Sequence, residues 1–165
     1  MPEKKTIERA KQDKREGKAP STQAGEFVRE EIEHIREGKH GARSTKQAIA
    51  IGLSKARRAG VKLPPPAKGS TSEKTRRSAT SAYRAGRAGA SPSRTRSRAI
   101  QQALKHEGHS AASKTALARH ARAAAAERTA SDRSASARKA AKTKGAEGRS
   151  AAARKAARTR ERTGR

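Results

Sequence analysis

The chain lacks the side chains on which redox chemistry and base stacking depend. Its 165 residues include no cysteine and no tryptophan, and only one phenylalanine and one tyrosine, Phe27 and Tyr83. Without cysteine there are no disulfides, no thiolate zinc sites and no thiol nucleophile. Two aromatic rings are also too few for the stacking platforms that commonly hold single-stranded nucleic acid. We therefore expect neither thiol chemistry nor base stacking.

Bulky apolar side chains are scarce as well. Leu, Ile, Val and Phe together number 13, against 36 alanines. A strongly charged chain in which these four residues fall below about 20% is expected to be disordered over much of its length. No apolar run approaches the ~20 residues of a membrane span, and no phosphate loop or activated nucleophile stands out. The sequence predicts a protein that is not an enzyme, with no membrane contact, no small-molecule substrate, no cofactor and no buried carboxylate pair.

Positive charge is present in large excess and is unevenly distributed. The chain has 42 Lys and Arg against 15 Asp and Glu, a net charge of +27. Residues 1–40 hold 10 basic and 9 acidic side chains, whereas residues 69–165 hold 25 basic and 6 acidic ones. Such a polycation is typical of proteins that bind nucleic acid. The first 20 residues have no apolar signal segment, so we expect a cytoplasmic protein.

Residues 21–60 carry the clearest helical pattern. A first helix ends at Gly38, and its apolar positions are Ala24, Phe27, Val28, Ile32 and Ile35. Ser44 and Gln47 have the spacing of a capping box that starts a second helix, which Gly60 ends. We expect these two helices to form a small antiparallel hairpin.

The pattern of breaks predicts five segments. They are a charged N-terminal arm that is at best a marginal, solvated helix (1–20), the hairpin (21–63), a proline-rich linker (64–69), a basic helical region (70–128) and a disordered basic tail (129–165). Within the basic region, Ser70 with Glu73 and Ser91 with Pro92 predict two helix starts. A further helix is expected from about Ser110 or Ser113 to Arg128.

The basic side chains of the second half are the candidate nucleic-acid contacts. Arg94, Arg98 and Lys105 fall on one side of a predicted helix and could follow a phosphate backbone, although a simple solvated face would look the same. The tail contains the near-repeat RSASARKAAKTK, from Arg133, and RSAAARKAARTR, from Arg149. Its candidate contacts are Arg133, Arg138, Lys139, Lys142, Lys144, Arg149, Arg154, Lys155, Arg158 and Arg160. Each phosphate neutralised releases counterions, so binding would weaken steeply with salt.

Two sharper interpretations of the second half fit less well. A helix–turn–helix could run from Ala99 through Gly108 to Leu117, but Lys114 would then stand at an apolar position. His106, His109 and His120 are near one another in sequence, but no fourth ligand stands out beyond Glu107. We expect them to be surface side chains and predict no metal site.

The segment KQAIAIGLSKARRAG, residues 46–60, resembles a family of small, very basic bacterial proteins of unknown function with a KQAIAI-L-A-RRAG core and an Ala/Lys/Arg-rich tail. EFVREEIEHIREGKHGARS and LKHEGHSAASKTALARHA look similar to the same family, so the resemblance covers residues 24–128. It implies a bacterial cytoplasmic protein, with DNA binding or nucleoid association as the usual expectation. It transfers no functional residues. The tail resembles linker-histone tails in composition only.

The sequence thus predicts a sparse all-α fold: a short helical hairpin, two or three loosely packed helices and a long disordered basic tail. The predicted function is sequence-independent nucleic-acid binding, nucleoid-associated or histone-like. The expected phosphate contacts suit duplex DNA or structured RNA, and DNA is favoured over RNA, in line with what the resemblance implies. The alternatives are an RNA-binding or ribosome-associated protein and a disordered hydrophilic stress-response protein. DNA would repel an acidic hairpin, so we expect residues 21–60 to serve self-association or a protein partner. Its acidic residues are Glu30, Glu31, Glu33 and Glu37.

Overall fold

A computed structural model describes residues 2–164, and these residues form helices and no strand, so the all-α prediction is confirmed. The α-helices are α1 (Lys4–Arg15), α2 (Pro20–Arg36), α3 (Thr45–Arg58), α4 (Glu73–Arg87), α5 (Arg94–Lys105), α6 (Lys114–Ala126) and α7 (Ala130–Thr163), with a 3₁₀ turn at Ser110–Ala112. They divide into two compact units, an N-terminal unit that ends at His120 and a C-terminal unit that begins at Ala121. No helix among the described residues is both long enough and apolar enough to cross a bilayer.

Helices α2 and α3 pack against each other along their length, as the apolar spacing predicts. Gly38 and Gly60, just beyond the two helices, have φ values of +75° and +87°, which favour glycine. The Ser44 hydroxyl accepts a hydrogen bond from the Gln47 amide at 3.2 Å. The Gln47 side chain instead accepts from the backbone amide of Arg43, at 2.8 Å, so the cap is half of the predicted box.

The core of the N-terminal unit is built largely from alanine. Nine of its 14 buried hydrophobic residues are alanines, and the largest fully buried apolar side chains are Phe27 and Ile35. Small side chains let helices approach closely. A Cβ at Gly52 would lie 2.7 Å from Cα of Val28, and one at Gly86 would overlap the carbonyl oxygen of Arg57. The number of bulky apolar residues therefore underestimates the size of the core that this chain can form.

Helix α1 is packed against α2 rather than solvated, so the prediction of a marginal, solvated N-terminal helix is wrong. Ala10 is buried beside Phe27, Ile7 packs against the same cluster, and Thr6 is buried. Ile7 and Ala10 lie three residues apart, on one face of a helix, and a single bulky side chain together with alanine is enough to dock it.

The end of α5 and the segment that follows it bond to the loop between α2 and α3 and to the start of α3. The amide of Gly41 donates to the carbonyl of Leu104 at 2.8 Å, and the amide of Ala42 donates to Gly108 at 3.0 Å. The Thr45 hydroxyl donates to the carbonyl of Ala111 at 2.7 Å. Residues more than 60 positions apart in sequence are thus joined by backbone hydrogen bonds.

Two helix starts lie two residues later than predicted. Helix α4 is capped by Ser72, whose hydroxyl accepts from the Thr75 amide at 3.3 Å, while the Ser70 hydroxyl donates to Ala67 instead. Helix α5 is capped by Ser93 and not by Ser91. In both places several serines stand close together, and the capping pattern alone does not choose among them.

The prediction of a disordered tail is wrong, because α7 is helical from Ala130 to Thr163 with one break, at Gly145. None of its described residues is buried. The low fraction of Leu, Ile, Val and Phe indicates that a chain cannot bury a large core. A helix can form without such a core when its residues have high helix propensity. Alanine, arginine and lysine rank among the best. Thr129 and Asp132 form a reciprocal capping box at its start.

Candidate functional site

Every candidate contact residue of the tail lies on α7 and is exposed. In the first repeat Arg138, Lys139 and Lys142 fall within about 100° of each other around the helix axis. The equivalent residues of the second repeat are Arg154, Lys155 and Arg158. Each repeat therefore presents a triad of cations on one side, and residues four apart are separated by about 6 Å along the axis. That spacing is comparable to about two phosphates along one DNA strand.

The break at Gly145 separates the two triads. A spacing of 16 residues would turn the second triad by about 160° from the first on an unbroken helix. Gly145 has φ +66° and ψ −179°, a conformation essentially restricted to glycine. Across the break, a guanidinium nitrogen of Arg149 donates to the carbonyl of Ala141 at 2.7 Å. The two repeats therefore form separate helical segments. On an unbroken helix the two triads would lie on nearly opposite sides, and the break at Gly145 removes that constraint.

The cations of α7 have no carboxylate partner within the described part of the chain. Among residues 2–164, no Lys or Arg of this helix lies within ion-pair distance of a carboxylate. Two of them make backbone contacts, since Arg133 bonds to the carbonyl of Arg128 and Arg149 bonds to Ala141. The remainder of the predicted contact set is free to meet an external anion.

Arg94, Arg98 and Lys105 lie on α5 and are exposed, as the sequence predicts for a helical stripe. Their angular positions differ by at most about 40°, so the three side chains share one face. Leu104 is the buried residue of this helix, and Ile100 is exposed. The predicted stripe is thus present as a geometric feature.

A second concentration of charge lies inside the N-terminal unit. Glu30 and Glu31 are 2% and 0% exposed, so the prediction that this chain has no buried carboxylate pair is wrong. One Oε of Glu30 accepts from the backbone amide of Glu3 at 3.2 Å. The ammonium of Lys55 lies 3.9 Å from Glu30 and makes a close ion pair with Glu31. Both carboxylate oxygens of Glu31 nevertheless lack a partner with hydrogen-bond geometry.

Two histidines complete this cluster. Nε2 of His40 lies 3.3 Å from Oε1 of Glu31, and Nδ1 of His40 lies 3.1 Å from the carbonyl of Gly41. Nε2 of His34 lies 2.8 Å from a carboxylate oxygen of Glu3. Hydrogen bonds from His34 and then Lys39 lower the pKa of the Glu3 carboxyl below its usual range. One ligand atom from each of Glu31, His34 and His40 lies within 4.8 Å of the others.

The sequence analysis missed this cluster because it treated the acids of α2 as one exposed set. Of the three histidines that were expected to be surface side chains, His106 and His109 are exposed and His120 is half-buried. The signal that could have found the cluster is the spacing of Glu31 and His34, three residues apart on one helical face. That face is buried because α1 and α3 pack against α2, and the spacing alone does not show this. Glu33 and Glu37 remain exposed, so half of the presumed acidic surface is interior.

The comparisons with known proteins are limited to the N-terminal part of the chain. Residues 3–68 match the sequence model of a family of unknown function (DUF6496). This stretch contains α1, α2, α3 and the buried cluster, and residues 69–165 lie outside it. No curated protein and no solved structure matches the chain.

Proposed function

We propose that the protein binds nucleic acid without reading its sequence, with the cations of α7 neutralising phosphates and duplex DNA favoured over RNA. The observation that carries the proposal is the unpaired, exposed state of the α7 cations. An exposed Lys or Arg with no carboxylate partner loses little when a phosphate displaces water from it. Each phosphate contact also gains from the release of condensed counterions.

The helical conformation of α7 supports the proposal because it places the cations at regular positions along the helix. Each triad sits on one side of a helical segment, and an exposed helix of this kind can lie along a groove or a backbone. The α5 stripe of Arg94, Arg98 and Lys105 offers a second row with similar spacing. With one tyrosine and one buried phenylalanine in the chain, contacts to phosphates outweigh base stacking. Phosphate contact without stacking suits a duplex, either DNA or structured RNA, and the preference for DNA in a nucleoid-associated role follows the expectation from the sequence resemblance.

The proposal is tested by measuring affinity for duplex DNA as a function of salt. We expect log K to fall linearly with log[salt], with a slope steeper than about −5, since each contact contributes about −0.9. Replacing Arg154, Lys155 and Arg158 by glutamine should reduce the slope by about 2.7. Glutamine keeps the helix propensity of the residues it replaces, so α7 should remain helical.

The matched control replaces three cations that already have carboxylate partners, Lys18, Arg29 and Lys39, by glutamine. This variant loses the same formal charge, and its slope should change by less than one contact. A slope near −2 or shallower in the unaltered protein, or equal changes in the two variants, would contradict the proposal. Competition between duplex DNA and a structured RNA at one salt concentration decides which nucleic acid is preferred.

A further inference from the structure

Within the described part of the chain, the buried carboxylates around Glu31 outnumber the lysine side chains that reach them. Glu30 and Glu31 are both almost fully buried, and Lys55 is the one ammonium that reaches them. If the neighbouring imidazoles are neutral, one negative charge remains uncompensated in a poorly solvated site. Such a charge is costly unless a cation meets it.

The orientation of His40 shows where a cation would bind. Nδ1 of this ring faces the carbonyl of Gly41 at 3.1 Å, an arrangement that is favourable when Nδ1 carries the proton. In the neutral ring Nε2 then carries a lone pair, and it faces Oε1 of Glu31 at 3.3 Å. Two ligand atoms bound tetrahedrally to zinc at about 2.0–2.1 Å are separated by about 3.3 Å. In this tautomer, two lone pairs stand at the separation that a shared zinc ion requires.

We propose that Glu31, His34 and His40 bind a divalent transition-metal ion, zinc by donor preference, as a structural site of the N-terminal unit. One carboxylate and two imidazoles are ligands that zinc accepts in proteins. The largest separation in the cluster is 4.8 Å, so ion binding draws the side chains together by up to about 1.5 Å. The fourth position is open to water.

The surroundings supply the contacts that hold such ligands in place. Glu3 bonds Nε2 of His34 at 2.8 Å, which leaves Nδ1 of that ring for the ion while this bond persists. Carboxylates and backbone carbonyls commonly orient metal-bound imidazoles in this way, and Lys55 plays the corresponding part for the second oxygen of Glu31. The site would tie the loop residue His40 to α2. A small core rich in alanine gains most from such a link.

The experiment uses the full chain, treated with a chelator and titrated with zinc chloride by calorimetry. We expect one ion per chain with a dissociation constant below about 1 µM and a thermal unfolding midpoint that rises by roughly 10 °C at a hundredfold excess over that constant. Cobalt(II) in place of zinc should give the intense visible absorption of a tetrahedral site. His40→Ala and, independently, His34→Gln should weaken zinc binding by at least about 100-fold.

The control variant removes two exposed histidines, His106→Ala and His109→Ala, and should bind zinc within about twofold of the unaltered protein. Each variant is checked for native helicity by circular dichroism before its affinity is measured. If His40→Ala fails to fold, the cobalt spectrum of the unaltered protein still tests the metal-site assignment, because that measurement needs no variant. No stoichiometric binding, an octahedral cobalt spectrum, or equal losses in the control and cluster variants would overturn the assignment.

Discussion

Cations are used in opposite ways in the two units of this protein. In the N-terminal unit Lys18, Lys39 and Lys55 each contact two carboxylates, and Arg9 pairs with Glu26. In the C-terminal unit the lysines and arginines of α7 have no carboxylate partner among the described residues. One residue class thus makes packing contacts among the first three helices, while on α7, as on the α5 stripe, it leaves charge available. Net charge by itself does not distinguish these roles.

Alanine shows the same division. In the N-terminal unit alanines such as Ala24, Ala48 and Ala112 are completely buried and let helices pack closely. In α7 alanine lies on an exposed helix, where its contribution is helix propensity. The comparison predicts that damage to the core and damage to α7 have separable effects.

The largest effect is expected from the core. Phe27→Ala should lower the free energy of unfolding of the N-terminal unit by about 3–5 kcal/mol, because it removes the largest buried apolar side chain. The salt dependence of DNA binding should persist, since the α7 cations belong to the other compact unit. Chemical denaturation followed by circular dichroism, together with the salt titration, measures both quantities.

The matched control for this prediction is Ile100→Ala. Ile100 is 53% exposed, so its truncation should cost less than about 0.5 kcal/mol. Comparable losses for Phe27→Ala and Ile100→Ala would show that the N-terminal unit has no specific core.

A smaller effect is expected at the break in α7. Gly145→Ala places a Cβ where the backbone has φ +66°, so the broken conformation becomes less favourable by about 1 kcal/mol and a continuous helix is preferred. Ellipticity at 222 nm should rise by more than in Gly148→Ala, which alters a glycine with negative φ. A fall in helicity for Gly145→Ala would mean that the break is held by other interactions.

The smallest effect concerns the capping box at the start of α7. Hydrogen bonds from Thr129 lower the pKa of the Asp132 carboxyl below its usual value. The stabilisation is therefore present above the unfolded-state pKa, near 4, and is lost as pH falls through the lower folded-state pKa. The difference in ellipticity between the unaltered chain and Asp132→Asn should shrink between pH 6 and pH 2. A difference that stays constant across this range would contradict a role for the Asp132 charge.

Local signals in the sequence predicted much of the fold. The apolar spacing from Ala24 to Ile35, the Ser44 cap and the terminal glycines Gly38 and Gly60 act over a few residues and located α2 and α3. The same holds for the stripe of Arg94, Arg98 and Lys105, which needs only helical periodicity. Where several serines compete, as around Ser91 and Ser93, the local signal was present but did not identify the cap.

The errors came from judging order by the number of bulky residues. That rule assumes that alanine adds little to a core, but close helix packing at Gly52 and Gly86 turns alanine into a core residue. It also led to the expectation that the alanine-rich tail is disordered, although helix propensity is sufficient to order α7. The identity of a residue does not reveal how near its neighbours can approach.

The sequence by itself determined the helical class, the boundaries of α2 and α3 that the Ser44 cap and the glycines Gly38 and Gly60 mark, and the concentration of positive charge in the second half. These properties depend on residues within one or two turns of each other. Only the tertiary structure decided that Glu30 and Glu31 are buried, that Lys55 reaches them, and that His34 and His40 lie beside them. These residues come from α2, α3 and the loop between them, and burial depends on the packing of elements distant in sequence.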